Sequence, residues 1–279
     1  MELTVLIDNN TFIDRYFYGE PGVSYFIKDE DKTILFDVGY SDAFIKNAQK
    51  MDIDLRNVDF VVLSHGHLDH TWGLVPLIRL YTEAILENIP HKKPIIIAHP
   101  FTFLTKTVGN LKEIGSIISK DKLSRHFPLK LSKDSIWLTE KLVFLGQIDR
   151  IFDFETESSI GTILKPQHPE DDYLVDDTAL AYKSKRGLVV ITSCSHSGIC
   201  NIVEYAKKIC KDDKVVDIIG GFHLLNPEEK QLNGTLEYMK KLKLTALHAC
   251  HCIDLNSKIA LSKVANLKEV GVGLSLKYD

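Results

Sequence analysis

The 279-residue chain predicts an α/β fold, an αββα sandwich with two mixed sheets inside and helices on both outer faces. Two observations lead to this class. Strand-like runs in the first part of the chain can pair locally, and later strand-like runs alternate with helical patterns. Locally paired strands that then alternate with helices are typical of layered α/β domains. Because no linker rich in proline, glycine or serine divides the chain, we expect one domain over residues 1–279.

Each strand is predicted from a short apolar run rich in β-branched or aromatic residues. The runs are Leu3–Ile7, Val23–Lys28, Thr33–Phe36, Phe60–Leu63, Pro94–Ala98, Ala179–Lys183, Leu188–Thr192, Val215–Gly220, Leu244–His248 and Gly273–Lys277. Apolar residues at helical spacing predict three helices, Leu74–Asn88, Asn201–Cys210 and Ser257–Glu269. Between Phe101 and Trp137 the pattern is weak, and we expect a lid or insertion over about residues 101–137.

Composition excludes several functional classes. The chain is 44% hydrophobic, enough for a sizeable core, yet no run reaches the ~18 apolar residues that cross a bilayer. The net charge is −4 and no long basic stripe occurs, so nucleic acid is not expected as a partner. The amino terminus has no basic start and no cleavage signal, which predicts a cytoplasmic protein. The expected partner is a small-molecule substrate. The oligomeric state stays open.

The most informative motif follows the predicted strand Phe60–Leu63. Four metal-binding side chains fall within one short stretch there: His65, His67, Asp69 and His70. Imidazole and carboxylate together suit zinc, manganese or iron, and a strand end is a rigid support for ligands. The stretch is therefore predicted to hold metal, with room for two adjacent ions.

Three later histidines also follow strand-like runs. His196 comes after Leu188–Thr192, and His251 follows the run that ends near His248. Both are predicted metal ligands, and His248 ranks below His251. His223 follows two glycines that allow close backbone approach, so we predict a catalytic residue that faces substrate or transfers a proton, with a metal role left open.

The pattern H-x-H-x-D-H at residues 65–70 resembles the metallo-β-lactamase superfamily. The segments Ser193–Ile199, Gly220–Leu224 and His251-Cys252 further resemble the branch that includes the archaeal dihydropterin–ribofuranosylaminobenzene phosphate synthase. The resemblance implies the metallo-β-lactamase fold and two divalent ions, with zinc expected first and manganese or iron as alternatives. It further implies one ion on His65, His67 and His196, and the other on Asp69, His70 and His251.

One departure from the superfamily pattern affects this expectation. Many members carry a metal-bridging aspartate at the end of the strand after the third histidine. The comparable strand of this chain ends in Ser193-Cys194-Ser195-His196, with no carboxylate. Asp176 or Asp177 is the alternative source of such a carboxylate. Asp37, which closes an earlier strand, is expected to orient a ligand.

The predicted function is metal-dependent hydrolysis. A metal-activated hydroxide would attack an ester, amide or phosphoester, and Asp69 would carry the proton to the leaving group. The resemblance implies an alternative, a transferase that joins a pyrophosphorylated dihydropterin to a ribofuranosylaminobenzene phosphate. Arg150 and Lys165 are candidate phosphate contacts for that reaction.

The five cysteines all lie in the last third of the chain. They are Cys194, Cys200, Cys210, Cys250 and Cys252. An odd number argues against a disulfide framework and favours buried structural thiols. A further alternative uses them to bind iron in a redox or sensor protein.

Overall fold

The computed structural model describes residues 1–155 and 159–279. The strands are β1 (Glu2–Ile7), β2 (Ser24–Asp29), β3 (Lys32–Phe36), β4 (Phe60–Val62), β5 (Ile95–Ala98), β6 (Lys106–Thr107), β7 (Leu129–Leu131), β8 (Ile136–Trp137), β9 (Leu142–Phe144), β10 (Thr162–Leu164), β11 (Pro169–Asp171), β12 (Leu180–Ser184), β13 (Gly187–Ile191), β14 (Val215–Gly221), β15 (His248–Cys250) and β16 (Ser275–Lys277). The helices are α1 (Ala43–Lys50), α2 (Leu68–Thr71), α3 (Leu74–Leu86), α4 (Lys120–Leu123), α5 (Ile199–Cys210), α6 (Glu229–Leu242) and α7 (Leu255–Ser262). Within the described ranges, none of these helices combines the length and apolarity needed to cross a bilayer.

The chain divides into two compact units. The first unit comprises residues 1–133, 159–176 and 271–277, and the second comprises residues 134–158, 177–270 and 278–279. Each unit has its own sheet and its own helices. The predicted α/β class with mixed sheets and flanking helices is confirmed. The expectation of one domain with a lid around residues 101–137 stays a prediction.

The first unit is built on a seven-stranded mixed sheet in the order β16-β1-β2-β3-β4-β5-β7. Strands β1, β2 and β3 form an antiparallel meander, whereas β3, β4, β5 and β7 are parallel neighbours. A smaller sheet has the order β11-β10-β6. Because β3, β4 and β5 are parallel, the residues that follow them emerge side by side at one sheet edge.

The core of the first unit lies under helices α1 and α3. Phe44 of α1 and Leu74 and Leu77 of α3 are fully buried in an apolar cluster with residues of β3, β4 and β5. Burying one such side chain contributes about 1.5–3 kcal/mol. This packing holds the sheet edge in place.

The second unit is built on a six-stranded mixed sheet in the order β15-β14-β13-β12-β9-β8. Strands β13, β14 and β15 are parallel, with α5 between β13 and β14 in the chain and α6 between β14 and β15. The ring of Phe154 covers Gly234 of α6. A Cβ on Gly234 would come 2.5 Å from this ring. This packing explains a glycine inside a helix, a position where glycine alone is unfavourable.

Most predicted elements are confirmed, and the differences have local causes. Strand β15 begins at His248, whereas the prediction placed it at Leu244–His248. The Thr245 N–H and the Ala246 N–H both donate to the carbonyl of Val216, so the ladder with β14 starts only afterwards. Helix α7 ends at Ser262, short of the predicted Glu269. Helices α1, α2, α4 and α6 and strands β6 to β11 were not predicted.

Gly220 provides a test of how β13 and β14 pack. Its φ is +135°, and a Cβ there would lie 2.0 Å from the carbonyl oxygen of Thr192. We expect Gly220→Ala to lower the free energy of unfolding in urea by about 3 kcal/mol, from overpacking and backbone strain together. Gly109→Ala is the control, since Gly109 has a φ of +54° but no atom within 4 Å. It should cost about 1 kcal/mol, and equal effects of the two changes would contradict the packing argument.

Candidate metal centre

The first ligand group comprises His65, His67, Asp69 and His70, all in the first unit. These residues follow β4 and run into α2. The ring centroids of His65 and His67 lie 4.7 Å apart, and those of His65 and His70 lie 4.3 Å apart. The structure therefore brings the three predicted histidines of this loop together.

The buried carboxylate of Asp37 orients two of these rings. Its Oδ1 accepts the Ser64 N–H at 2.7 Å, and its Oδ2 accepts the Ser64 hydroxyl at 2.6 Å and pairs with His70 Nδ1 at 2.9 Å. Ser64 Oγ lies 2.9 Å from His65 Nδ1. Since the Ser64 hydroxyl donates to Asp37, its oxygen accepts the Nδ1 proton of His65. Asp37 therefore orients the His70 ring directly and the His65 ring through Ser64, and the ligand roles of both histidines stay predictions.

The charges around the loop move the pKa values of His70 and His67 in opposite directions. Burial lowers the pKa of His70, but Asp69 and Asp37 outweigh it and raise that pKa to about 10. Asp69 Oδ2 lies 3.4 Å from His70 Nε2. Burial and the Lys106 ammonium lower the pKa of His67 to about 4, so His67 is neutral at pH 7. The surroundings of His70 favour the protonated imidazolium. Since only the neutral imidazole binds metal, an ion at His70 would have to displace that proton.

A buried ion network supports the same loop. The fully buried Lys106 ammonium contacts Asp172 Oδ2 and Asp176 Oδ1, each at 2.8 Å. Asp176 Oδ2 accepts the Gly66 N–H at 2.8 Å. Both oxygens of Asp176, one of the two alternative bridging carboxylates, are thus engaged within the first unit. A Cβ on Gly66 would meet the carbonyl of Thr102 at 2.4 Å, so the loop packs too closely for any larger residue.

A second group of candidate ligands comprises Cys194, His196, His223, His251 and Cys252, all in the second unit. These residues follow the carboxyl ends of the parallel strands β13, β14 and β15. The rings of His196 and His223 lie 4.3 Å apart. Parallel pairing brings the three loops to one edge, as it does in the first unit. His196 and His251 stay predicted ligands, and the catalytic role of His223 stays a prediction.

Strained backbone marks this edge. Ser195, His223 and His251 have φ values of 61°, 50° and 55°, in the left-handed region that non-glycine residues rarely adopt. Such conformations cluster at functional sites, where the surrounding structure holds them. Asp177, the other alternative bridging carboxylate, accepts the Ser197 N–H at 2.8 Å in the loop after β13.

Two of the five cysteines meet at this edge. The sulfur atoms of Cys194 and Cys252 lie 3.2 Å apart, and the His223 N–H donates to Cys252 Sγ at 3.2 Å. Burial raises the pKa of Cys252, but Cys194, His251 and His223 together bring it well below its ordinary value. The pKa of Cys252 therefore moves in the direction opposite to that expected for an isolated buried thiol.

The thiols of α5 behave as structural groups. Cys200 and Cys210 are buried in the apolar core of the second unit. Burial raises the pKa of Cys200 well above its ordinary value and that of Cys210 to about 11. Among the described residues, no candidate metal-ligand cluster contains more than two cysteines. The four-cysteine arrangement of an iron–sulfur cluster is therefore absent from that part of the chain.

Sequence reasoning missed two buried residues of the first unit. His99 follows β5, and its Nδ1 accepts the Phe101 N–H at 3.1 Å. Its position after a predicted strand beside β4 was the available signal. Lys106 had no such signal. The low rank of His248 as a ligand agrees with its structural contact, since its Nδ1 lies 2.9 Å from Asp217 Oδ1.

Comparison with known proteins places this architecture in a family. Residues 18–201 match the family model described as the metallo-beta-lactamase superfamily. The chain belongs to the metallo-β-lactamase superfamily. The predicted fold is therefore confirmed.

Relatives cover nearly the full chain. An uncharacterised protein of Methanocaldococcus jannaschii is 29% identical over 97% of this chain and 98% of its own length. The 7,8-dihydropterin-6-methyl-4-(beta-D-ribofuranosyl)-aminobenzene-5'-phosphate synthase of the same organism is 30% identical over 87% of this chain and 84% of its own length. Among solved structures, a protein described as a metal-dependent hydrolase of the β-lactamase superfamily has a TM-score of 0.83 with 24% identity, over 100% of both chains.

The superfamily fold implies divalent metal binding, and the donor set fits it. The Nδ1 atoms of His65 and His70 are held by Ser64 and Asp37. Hydrogen bonding at one ring nitrogen is the usual way in which proteins orient a histidine that binds metal through the other nitrogen. His67 is neutral and Asp69 carries a carboxylate beside it. This chemistry suits zinc, manganese or iron.

Lys106→Met tests the buried ion network. Removing the ammonium leaves Asp172 and Asp176 as buried carboxylates without their cation, so we expect the free energy of unfolding to fall by about 3–5 kcal/mol. Denaturant unfolding followed by circular dichroism measures it. Lys130→Met, at an exposed position of β7, is the matched control and should change stability by less than about 0.5 kcal/mol. Similar stabilities of the two variants would refute a supporting role for the network.

Proposed function

We propose that this protein is a metal-dependent hydrolase that acts on an ester, amide or phosphoester in a small molecule. The observation that carries the proposal is the Asp37–Ser64 pair, which holds Nδ1 of His70 and of His65 and so orients both rings. Under this proposal two divalent ions bind, with zinc expected first and manganese or iron as alternatives. The proposed ligands are His65, His67, Asp69, His70, His196 and His251.

The metal and the chain have separate tasks. A bound divalent ion lowers the pKa of water and stabilises negative charge on a carbonyl or phosphoryl oxygen. The chain holds the imidazoles in place through Asp37 and Ser64, so little reorganisation is needed during the reaction. Asp69, whose side chain is 23% exposed, accepts a proton and returns it to the leaving group.

The double variant His65→Ala/His67→Ala tests the proposal. Elemental analysis should find about two ions per chain in the wild type and fewer in the variant. The kcat/KM for 4-nitrophenyl esters or bis(4-nitrophenyl) phosphate should fall by about a thousandfold or more, since the charge stabilisation is worth several kcal/mol. The matched control is His91→Ala/His126→Ala, which removes two exposed histidines of the same unit. An unchanged metal content in the His65/His67 variant would overturn the proposal.

A second candidate function is the pterin-type transfer. It is favoured by the relative named as a synthase, which is 30% identical over most of both chains. In this reaction the amine nitrogen of the aminobenzene attacks the pterin methylene, the carbon–oxygen bond to pyrophosphate breaks, and the nitrogen loses a proton. Lys165 and Lys133 approach the ring of Phe101 at 5.0 and 5.3 Å. Lys165 is also paired with Glu170, which a bound phosphate would have to replace as its partner.

Product analysis separates the two functions. The metal-loaded wild type is incubated with the pyrophosphorylated dihydropterin and ribofuranosylaminobenzene phosphate, and mass spectrometry detects the condensed product together with released pyrophosphate. A transferase forms both in equal amounts. If pyrophosphate appears without the condensed product, the protein is a hydrolase, and no turnover at saturating metal would eliminate the transferase. Lys165→Met should raise the KM for the pyrophosphorylated substrate if Lys165 contacts a phosphate, with Lys130→Met as the control.

A further inference from the structure

We propose that Cys194, His223 and Cys252 bind a thiophilic divalent ion through their two thiolates and one imidazole nitrogen. None of these residues is among the histidine and aspartate ligands proposed above. Cys194 Sγ also lies within 4.8 Å of a ligand atom of His196 and of one of His251, so the thiol site adjoins the proposed histidine ligands of the second unit. This site also gives His223 the metal role that the sequence left open beside its predicted role in facing substrate or transferring a proton.

The distances suit such a site. One ligand atom from each of the three residues lies within 4.8 Å of the other two. Cys194 Sγ is 3.2 Å from Cys252 Sγ and 3.9 Å from His223 Nδ1. Zinc binds sulfur at about 2.3 Å and imidazole nitrogen at about 2.0 Å, so a tetrahedral ion needs the sulfur atoms roughly 3.8 Å apart. Opening the pair by about half an ångström, which side-chain rotation can provide, is enough.

The backbone holds the three residues from three different strands. The Gly221 N–H donates to the carbonyl of Ser193 at 2.9 Å, and the Leu224 N–H donates to the carbonyl of Cys252 at 3.0 Å. A Cβ on Gly221 would come 2.6 Å from Cys252 Sγ, so glycine is what allows β14 to approach the sulfur. The cluster is thus fixed by the ends of β13, β14 and β15 rather than by one flexible loop.

The chemistry selects the class of ion. Thiolates favour zinc or iron over magnesium or calcium, because soft sulfur prefers the more polarisable cations. Cys194 and Cys252 are nearly buried, at 5% and 6% exposure, and two thiolates neutralise a divalent charge in such surroundings. Within the described ranges no cysteine is in a disulfide, and a 3.2 Å separation is far longer than the ~2.05 Å of a sulfur–sulfur bond. The pair is therefore available as two thiols.

Cobalt is the probe for this site. Co²⁺ is added to the reduced, metal-free full chain under argon, and absorption is followed for the sulfur-to-metal charge-transfer band in the near ultraviolet. The wild type should show the band. Cys194→Ser/Cys252→Ser should abolish it, and His223→Gln should weaken Co²⁺ binding by about tenfold or more. Cys210→Ala, which removes a buried thiol of α5 outside the cluster, should leave the band unchanged.

A second measurement needs no variant. X-ray absorption at the zinc edge of the zinc-loaded wild type should detect sulfur at about 2.3 Å. Only nitrogen and oxygen neighbours, or a charge-transfer band that persists in the double serine variant, would overturn the proposal. A His223→Gln variant with unchanged Co²⁺ affinity and an altered pH–rate profile would return His223 to proton transfer and overturn its place as a ligand. If the wild type binds metal without sulfur and still loses it in His65→Ala/His67→Ala, this inference fails while the proposed hydrolase stands.

Discussion

The loop from Ser64 to His70 depends on the buried carboxylate of Asp37. One side chain accepts hydrogen bonds from the Ser64 backbone and hydroxyl and from His70, and through Ser64 it also reaches His65. A carboxylate without partners in such a position would be strongly destabilising, so these hydrogen bonds are obligatory. The same contacts that stabilise the charge fix the direction of two imidazoles. Stability of the loop and the orientation of its imidazoles therefore have one physical origin.

Parallel strands provide the second constraint. In each unit three neighbouring parallel strands end at the same sheet edge, and the candidate ligands come after these ends. A strand end is rigid because its residues are still in the ladder, whereas the next residues are free of it and can point outward. Left-handed backbone at Asp37, Ser195, His223 and His251 marks the places where the chain turns away from the ladder. The strain at these positions is held by the packed core behind them.

Buried polar side chains in both units contact one another directly. Lys106 lies between two aspartates, and one of these also holds the loop at Gly66. A buried ion network does not by itself indicate a gain in stability, since a protein with apolar residues of similar size in its place is often equally stable. Its value here is positional, because the loop that carries His65 and His67 must keep one conformation. The contact of Cys194 with Cys252 fits the same principle if both sulfurs bind an ion.

The sequence by itself determined the superfamily, the α/β class, most strands and the dense ligand loop, because all of these depend on short-range patterns. Hydrophobic runs reveal strands, and His65, His67, Asp69 and His70 are recognisable from their spacing alone. Only the tertiary structure decided that Lys106 supports this loop, that Asp176 is bound within the network, and that Cys194 meets Cys252. These partners lie far apart along the chain and have no local pattern. Strand pairing brings them together, so the physical reason is topology rather than composition.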